Sequence, residues 1–324
     1  MACFRSLSNC FLLVLALWVA GTSPAWAAID KAGAEKLKTV VEKAIADWAS
    51  YMAGNGNELK LDGPVMVEPN GTYYAVTLPG VKFGDMDGAK VEMGMIAINA
   101  MPAATPGQWK MTIALPTPFS HFDEEQRLIA LTTIGAQNLA GIWHEDMGSF
   151  TKLTASYQNV VAMDPEHKPF LTIKNITMNS DMKEDAQGLW SGPFRMDVNG
   201  MAVEAPDGAK GSIESISGVS NIKGYSIKAL NDYRAKITAL NESYEAGEGE
   251  DVSMNHVLGI YNLISEFMGT GWDGFDVLFD VKGVALSMPS REGKPARQFA
   301  LKNSAFGFGM DGISNDSVTL NKIG

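Results

Sequence analysis

The chain has 324 residues, 37 acidic against 26 basic side chains, a formal charge of −11 and 46% hydrophobic content. That length suits one large or two ordinary domains with an adequate core and no cross-links. The acidic balance opposes nucleic acid, which is bound by lysine and arginine displacing counterions, and opposes docking on anionic lipid surfaces.

The N-terminus reads as a cleavable secretory signal. Arg5 is the positive flank, Phe11 to Ala20 form an unbroken apolar run, and Gly21, Ser23 and Pro24 break the helix before Ala25-Trp26-Ala27. Small residues at the two positions a signal peptidase reads place cleavage after Ala27, and the apolar run is shorter than the roughly 20 residues of a spanning helix. A lipoprotein is excluded because Cys10 precedes the apolar run. Cys3 and Cys10 both lie in the signal, so the mature chain carries no disulfide, no thiolate chemistry and no cysteine-bound metal. Losing Arg5 takes the charge from −11 to −12. The implied compartment is a bacterial periplasm, with no retained transmembrane segment.

Five segments follow in order: signal (1–27), N-terminal amphipathic helix (28–56), curved sheet region (57–225), helical hairpin (226–270) and a continuation of the sheet (271–324). In the first helix Leu37, Val40, Val41, Ala44, Ile45 and Trp48 recur at helical spacing. Val91, Met93 and Met95, then Trp109, Met111 and Ile113, alternate as in strands with one buried face. Arg127 to Met147 is compatible with a helix, but its β-branched, Gly-interrupted run favours strand. Ser226–Glu245 and Asp251–Met268 each carry one apolar stripe and are joined by an acidic loop, which predicts an antiparallel helical pair. Strand pattern then runs to the end, read as either a terminal strand or a truncation.

A repeat organises the strand regions. Apolar–x–Gly/Asn–apolar–x–apolar occurs at Leu78–Phe83, Ile173–Met178, Val198–Val203 and Val281–Leu286, with weaker copies at Met86, Tyr157, Ile216 and Leu301. The apolar phase slips by one residue at each Gly or Asn, and those residues tolerate positive φ. A bulge with that residue left-handed restores the buried face; the competing reading is a tight hairpin turn, favoured at Asp87-Gly88 and Asp207-Gly208. Repeated bulges predict a curved sheet. This combination resembles uncharacterised exported proteins of Gram-negative bacteria and, distantly, AsmA-like envelope proteins. The resemblance covers Leu59 to Asn315 and implies a long curved sheet with an apolar trough for lipid. The chain departs from the AsmA-like pattern in lacking a retained anchor and in being too short to bridge two membranes, so no site residue carries over.

Catalytic sets are sparse. His121, His144, His167 and His256 lack metal-ligand spacing, and His144-Glu145-Asp146 reads as a solvated turn. Ser149-Phe-Thr-Lys152 matches a penicillin-binding nucleophile motif without its partner motifs. Asp85-Met-Asp87-Gly88 opens like a calcium loop but has Ile96 where the closing Glu belongs. Gly269–Phe275 is either a binding loop or an aromatic staple between hairpin and sheet. No cofactor fingerprint is present, and no metal site is expected.

The expected fold is α+β: a curved, mostly antiparallel β-sheet of long bulged strands, with an N-terminal helix and a helical hairpin covering part of one face. The expected function is non-enzymatic, an apolar or lipid-like ligand held against the sheet by Val91, Met93, Met95, Trp109, Met111, Ile113, Met178 and Met201. Methionine thioethers suit irregular apolar cargo; an ordinary core under the helices is the alternative for most of these residues. An envelope scaffold docking a protein partner, and a hydrolase with an unrecognised site, are the other two readings.

Overall fold

A computed structural model describes residues 29–54, 57–85, 88–245, 250–290, 296–314 and 317–323. The signal, part of the Asp85–Gly88 motif and most of the acidic interhelical loop lie outside these residues. Helix α1 spans Lys31–Gly54. The strands are β1 Asn57–Lys60, β2 Met66–Asn70, β3 Tyr73–Asp85, β4 Lys90–Pro102, β5 Gln108–Ala114, β6 Phe119–Phe122, β7 Leu128–His144 and β8 Ser149–Met163. They continue as β9 Pro169–Asp181, β10 Lys183–Glu184, β11 Leu189–Glu204 and β12 Lys210–Ser226. Helices α2 Ile227–Glu245 and α3 Glu250–Thr270 intervene before β13 Gly274–Met288, β14 Arg297–Ser314 and β15 Ser317–Ile323. The ambiguous 127–147 region is the strand β7.

One curved antiparallel sheet contains all these strands, as the alternating pattern predicts. Its main path is β1-β3-β4-β5-β7-β8-β9-β11-β12-β13-β14-β15. β12 pairs with β13 directly, so the helical pair is an excursion from a continuous sheet. β5 and β6 share the lane between β4 and β7. Where that lane is interrupted, Gln137 replaces the missing strand contact: its Oε1 accepts from Leu115 N (3.0 Å) and its Nε2 donates to Leu115 O (2.6 Å).

Helix α1 starts at Asp30, whose carboxylate accepts from Gly33 N at 2.8 Å as an N-cap. Its Ala34, Leu37 and Val41 are buried against Tyr74, Val76, Ile98, Trp109 and Met111. Burial of a Leu or Val side chain contributes roughly 1.5–3 kcal/mol, enough to hold the helix on the first strands. The second helical unit is tied to the sheet by rings. Tyr233 of α2 meets Phe267 of α3 (5.0 Å), Phe267 meets Trp272 (5.3 Å), Trp272 meets Phe275 (5.9 Å) and Phe275 meets Phe308 (5.8 Å). In the Gly269–Phe275 connection, both aromatic side chains thus pack as a staple.

A line of left-handed residues crosses the sheet. Asn159 (φ 51°), Gly200 (63°) and Gly283 (61°) lie on β8, β11 and β13, and the pairs on either side place Lys174, Glu214 and Lys302 of β9, β12 and β14 in the same row. The side-chain phase slips there as the repeat predicts. Tyr157 and Val160, three residues apart, share one apolar cluster, and on β3 Val76 and Leu78 share another with Val81 and Phe83. The device takes two forms. At Gly80 (φ 50°) the step Leu78 to Val81 opposes the shorter step Ile96 to Gly94, and the next step, Val81 to Lys82, opposes the longer step from Gly94 (φ 70°) to Glu92, so two opposed bulges restore the register. At Gly200 the step Asn199 to Met201 opposes Ser215 to Ile213, so neighbouring strands crease together and register is kept.

A side chain at these glycines meets two costs. Left-handed backbone disfavours L-residues, and an added Cβ at Gly200 would lie 2.6 Å from Lys174 Cδ, at Gly283 2.6 Å from Glu214 Cβ. Gly200→Ala and Gly283→Ala are each expected to lower stability by about 1–3 kcal/mol. Gly200→Asn is expected to cost less than Gly200→Ala, because Asn visits this region more readily. Guanidinium unfolding midpoints of the three variants check the ranking.

Candidate functional site

Residues paired across an antiparallel sheet project to the same face, so each face can be followed row by row. On one face the rows are apolar. Val160, Ile173, Met201 and Ile213 are successive neighbours, as are Tyr157, Ile176, Val198, Ile216 and Val281. A third row runs Ala155, Met178, Met196, Gly218, Phe279 and Phe306. The opposite face is polar over the same strands: Gln158, Asn175, Asn199, Ser215, Lys282 and Asn303 form one row. The phase slips at the crease keep the two faces distinct along the full strand length.

Coverage of the apolar face is uneven. Helix α1 seals its first part, and a second cluster around Ile134, Ala155 and Tyr157 is buried farther along. Toward β14 the face opens. Leu286, Phe299, Phe279 and Phe306 are 43%, 55%, 46% and 57% exposed, and Val203 and Leu301 are exposed beside them. Exposed apolar side chains scattered singly are ordinary on protein surfaces; here they occupy neighbouring positions on paired strands. At the tip of the same strands lies an open groove of about 710 Å³, whose lining combines Thr172, Ala202, Ser212, Ala285 and Ala300 with Val203, Leu286 and Phe299 of the apolar face. The Glu204–Lys210 ion pair (3.4 Å) stands at its rim.

The eight residues expected to line a trough are divided by this geometry. Trp109 and Met111 are buried beneath α1, with Met93 and Ile113 packed at the margin of that core. For those four, the ordinary-core alternative describes their packing. Val91 pairs with Phe83 on the same face, whereas Met95 is 60% exposed and one step out of phase with core residue Ile96. Met178 borders the second cluster, and Met201 lies on the open face between Ile173 and Ile213. The open-face residues missed by sequence reasoning sit in the repeat itself. In register the repeat extends to eight residues, φ-x-φ-x-Gly/Asn-φ-x-φ (φ here an apolar residue), seen as Phe279-Asp-Val-Lys-Gly-Val-Ala-Leu286 and Met196-Asp-Val-Asn-Gly-Met-Ala-Val203.

Residues singled out for chemistry have packing roles. Glu145 accepts from Trp109 Nε1 at 2.7 Å and pairs with Lys36 at 3.3 Å, fastening the 144–146 turn to α1 and the core. The His144 ring packs edge-on against Trp190. Ser149 and Lys152 lie on strand β8, not at the helix start their motif requires, and Thr151 between them is buried and donates to Ile142 O. Asp85 Oδ1 accepts from Ala89 N at 2.9 Å, closing a turn. Among the described residues no three His, Cys, Asp or Glu side chains come together as a metal site, and no helix is long and apolar enough to cross a membrane. The chain matches no protein-family model, no curated protein and no solved structure.

Two titratable groups lie among the apolar rows. Burial pushes the Tyr157 phenol up, keeping it neutral. Burial also pushes His121 below its ordinary 6.5, and its Nε2 is 2.9 Å from Thr132 Oγ1. The unfolded chain then binds more protons than the folded one between the folded pKa and about 6.5. This contribution is fully present above that range and is lost as pH falls through it. His121→Gln is expected to flatten the fall in stability between about pH 7 and 5, measured as unfolding midpoints of both proteins across that range.

Proposed function

We propose that this is a non-enzymatic periplasmic protein, delivered by its N-terminal signal, that holds an apolar or lipid-like ligand against the open part of its apolar face, with a role in envelope maintenance. The observation that carries the reading is the same face's uneven cover: α1 buries it over the first strands, and Val203 at the end of β11 with Phe279, Leu286, Phe299, Leu301 and Phe306 on β13 and β14 lie exposed. A lipid chain gains from such a surface in proportion to the apolar area it removes from water, about 25 cal/mol per Å². Flexible Met178, Met196 and Met201 in the rows suit acyl chains of varied shape. The trough of AsmA-like envelope proteins is the analogous use of a curved sheet. A second reading, a protein-interaction module in the envelope, is favoured by one feature: Leu258, Tyr261 and Ile264 stand exposed on α3 of the helical pair.

The test is native mass spectrometry and organic extraction of protein purified from the periplasm. The double variant Phe279→Glu/Phe306→Glu places two charges on exposed positions of the open face away from the tip groove and is expected to fold. Its co-purifying lipid is expected to fall about tenfold or more, because an unpaired charge is costly to desolvate. Ser287→Glu, at a position in the lining of the tip groove, is expected to retain the lipid. Loss with Ser287→Glu alone would move the site to that groove, and wild-type protein free of any extractable lipid would sink the reading.

A further inference from the structure

Hydrogen-bond donors without acceptors gather around Tyr225, where the helical pair meets the sheet. Trp190 of β11 stands directly across from Tyr225 of β12, and the Trp272 ring stacks on Tyr225 with centroids 6.4 Å apart. Trp190 is 3% exposed and Trp272 is half-buried; the indole N–H of each is buried with no hydrogen-bond partner among the described residues. An indole can only donate, and a donor shut away from water without an acceptor costs free energy. Trp109 shows the usual remedy, donating to Glu145 at 2.7 Å.

Helix α2 adds a charge to the same place. Burial pushes the Tyr225 phenol up, and the nearby Arg234 charge works against that shift. Arg234 is half-buried, and its guanidinium lies 3.8 Å from where a Cβ on Gly148 would stand, beside the turn whose His144 ring packs on Trp190. Arg127 and Arg195 each pair with an aspartate, but Arg234 has no carboxylate within ion-pair distance among the described residues. The formal charge of −11 gives the chain no general pull on anions, so a guanidinium unpaired beside two unpaired indoles is a local arrangement. The chemistry that completes it is an oxyanion, whose lone pairs take the fork of an arginine and neighbouring N–H groups together.

The apolar face leads away from this cluster. Trp190 shares its side of β11 with Phe194, Met196 and Val198, and the exposed Ser191, Pro193 and Arg195 alternate with them. From Trp190 to Met196 the strand covers roughly 20 Å at about 3.3 Å per residue, ending at the row that holds Met178 and Phe279. We propose that Arg234, Trp190, Trp272 and Tyr225 form the headgroup site of an anionic lipid, a fatty carboxylate or a lipid phosphate, whose tail lies along β11 toward the open part of the apolar face. The inference rests on the lipid reading above and adds the charge of the ligand and the end at which it is held. The headgroup oxygens accept from the guanidinium and the two indoles, and the acidic surface, which repels an anionic bilayer, does not prevent local donors from holding one anion.

The probes are laurate, lauroyl lysophosphatidate, uncharged methyl laurate and inorganic phosphate, titrated into the purified protein with isotope-labelled tryptophan indoles read by NMR. Laurate and the lysophosphatidate are expected to move the Trp190 and Trp272 indole resonances downfield and to leave that of Trp109, which keeps Glu145, in place. Arg234→Gln is expected to weaken laurate binding about tenfold or more and to leave methyl laurate unaffected. Lys236→Gln removes the same charge from a residue of α2 paired with Glu266 and is expected to change neither; glutamine suits a helix, so both variants are expected to fold. Stationary indoles with laurate bound, or equal losses in the two variants, would overturn the headgroup site and leave the lipid reading standing. Inorganic phosphate moving the same resonances at the same concentration as laurate would overturn the lipid assignment and leave a site for a free oxyanion. Failure of every tailed probe to bind would remove both.

Discussion

Everything distinctive in this molecule depends on the left-handed residues aligned across the sheet. A β-strand alternates its side chains strictly, so a strand of fifteen or more residues such as β11 or β12 that bends sharply risks turning its apolar residues outward. One residue at positive φ in every second strand lets the phase slip by one and brings the apolar positions back to the same face. Because neighbouring strands slip together, pairing survives the bend. The cost is local backbone strain, reduced by using glycine at Gly200 and Gly283 and asparagine at Asn159.

That device produces a one-layer sheet with two unlike faces, and an unusual packing problem. A sheet normally buries its apolar face under a second layer. Here α1 performs that task over the first strands, and the ring series from Tyr233 to Phe308 joins the helical pair to the β12–β14 end. The remaining strands keep Leu286, Phe299 and Phe306 uncovered. The polar opposite face, with its ladder of Gln, Asn and Ser, needs no such cover. That asymmetry is the ground on which a ligand on the apolar side is proposed.

Charged groups play supporting parts. Glu145 ties α1, Trp109 and the 144–146 turn into one unit, and removing its carboxylate would leave a buried indole N–H without a partner. Lys223 bridges Asp276 and Asp311 across three strands at the hairpin end of the sheet, which holds its own charge more firmly. Lys174 and Glu214 lend their stems as much as their charges, filling the space left by the crease glycines.

Much of the fold was legible in the chain because its signals are local. Helical spacing in α1, α2 and α3, alternation in the strands and a phase slip at each Gly or Asn are properties of short segments, and together they predict a curved sheet with helices. The candidate site was legible only in part. Trp109 and Met111 show the same alternation as Val284 and Leu286, and nothing in a strand's own sequence says which stretch of face a distant helix will cover. Nor does the repeat reveal that its glycines line up in one row, since alignment depends on the pairing of strands far apart in sequence. Periodicity along the chain determined which side of each strand is apolar; strand register and the placement of α1 decided where that side is open.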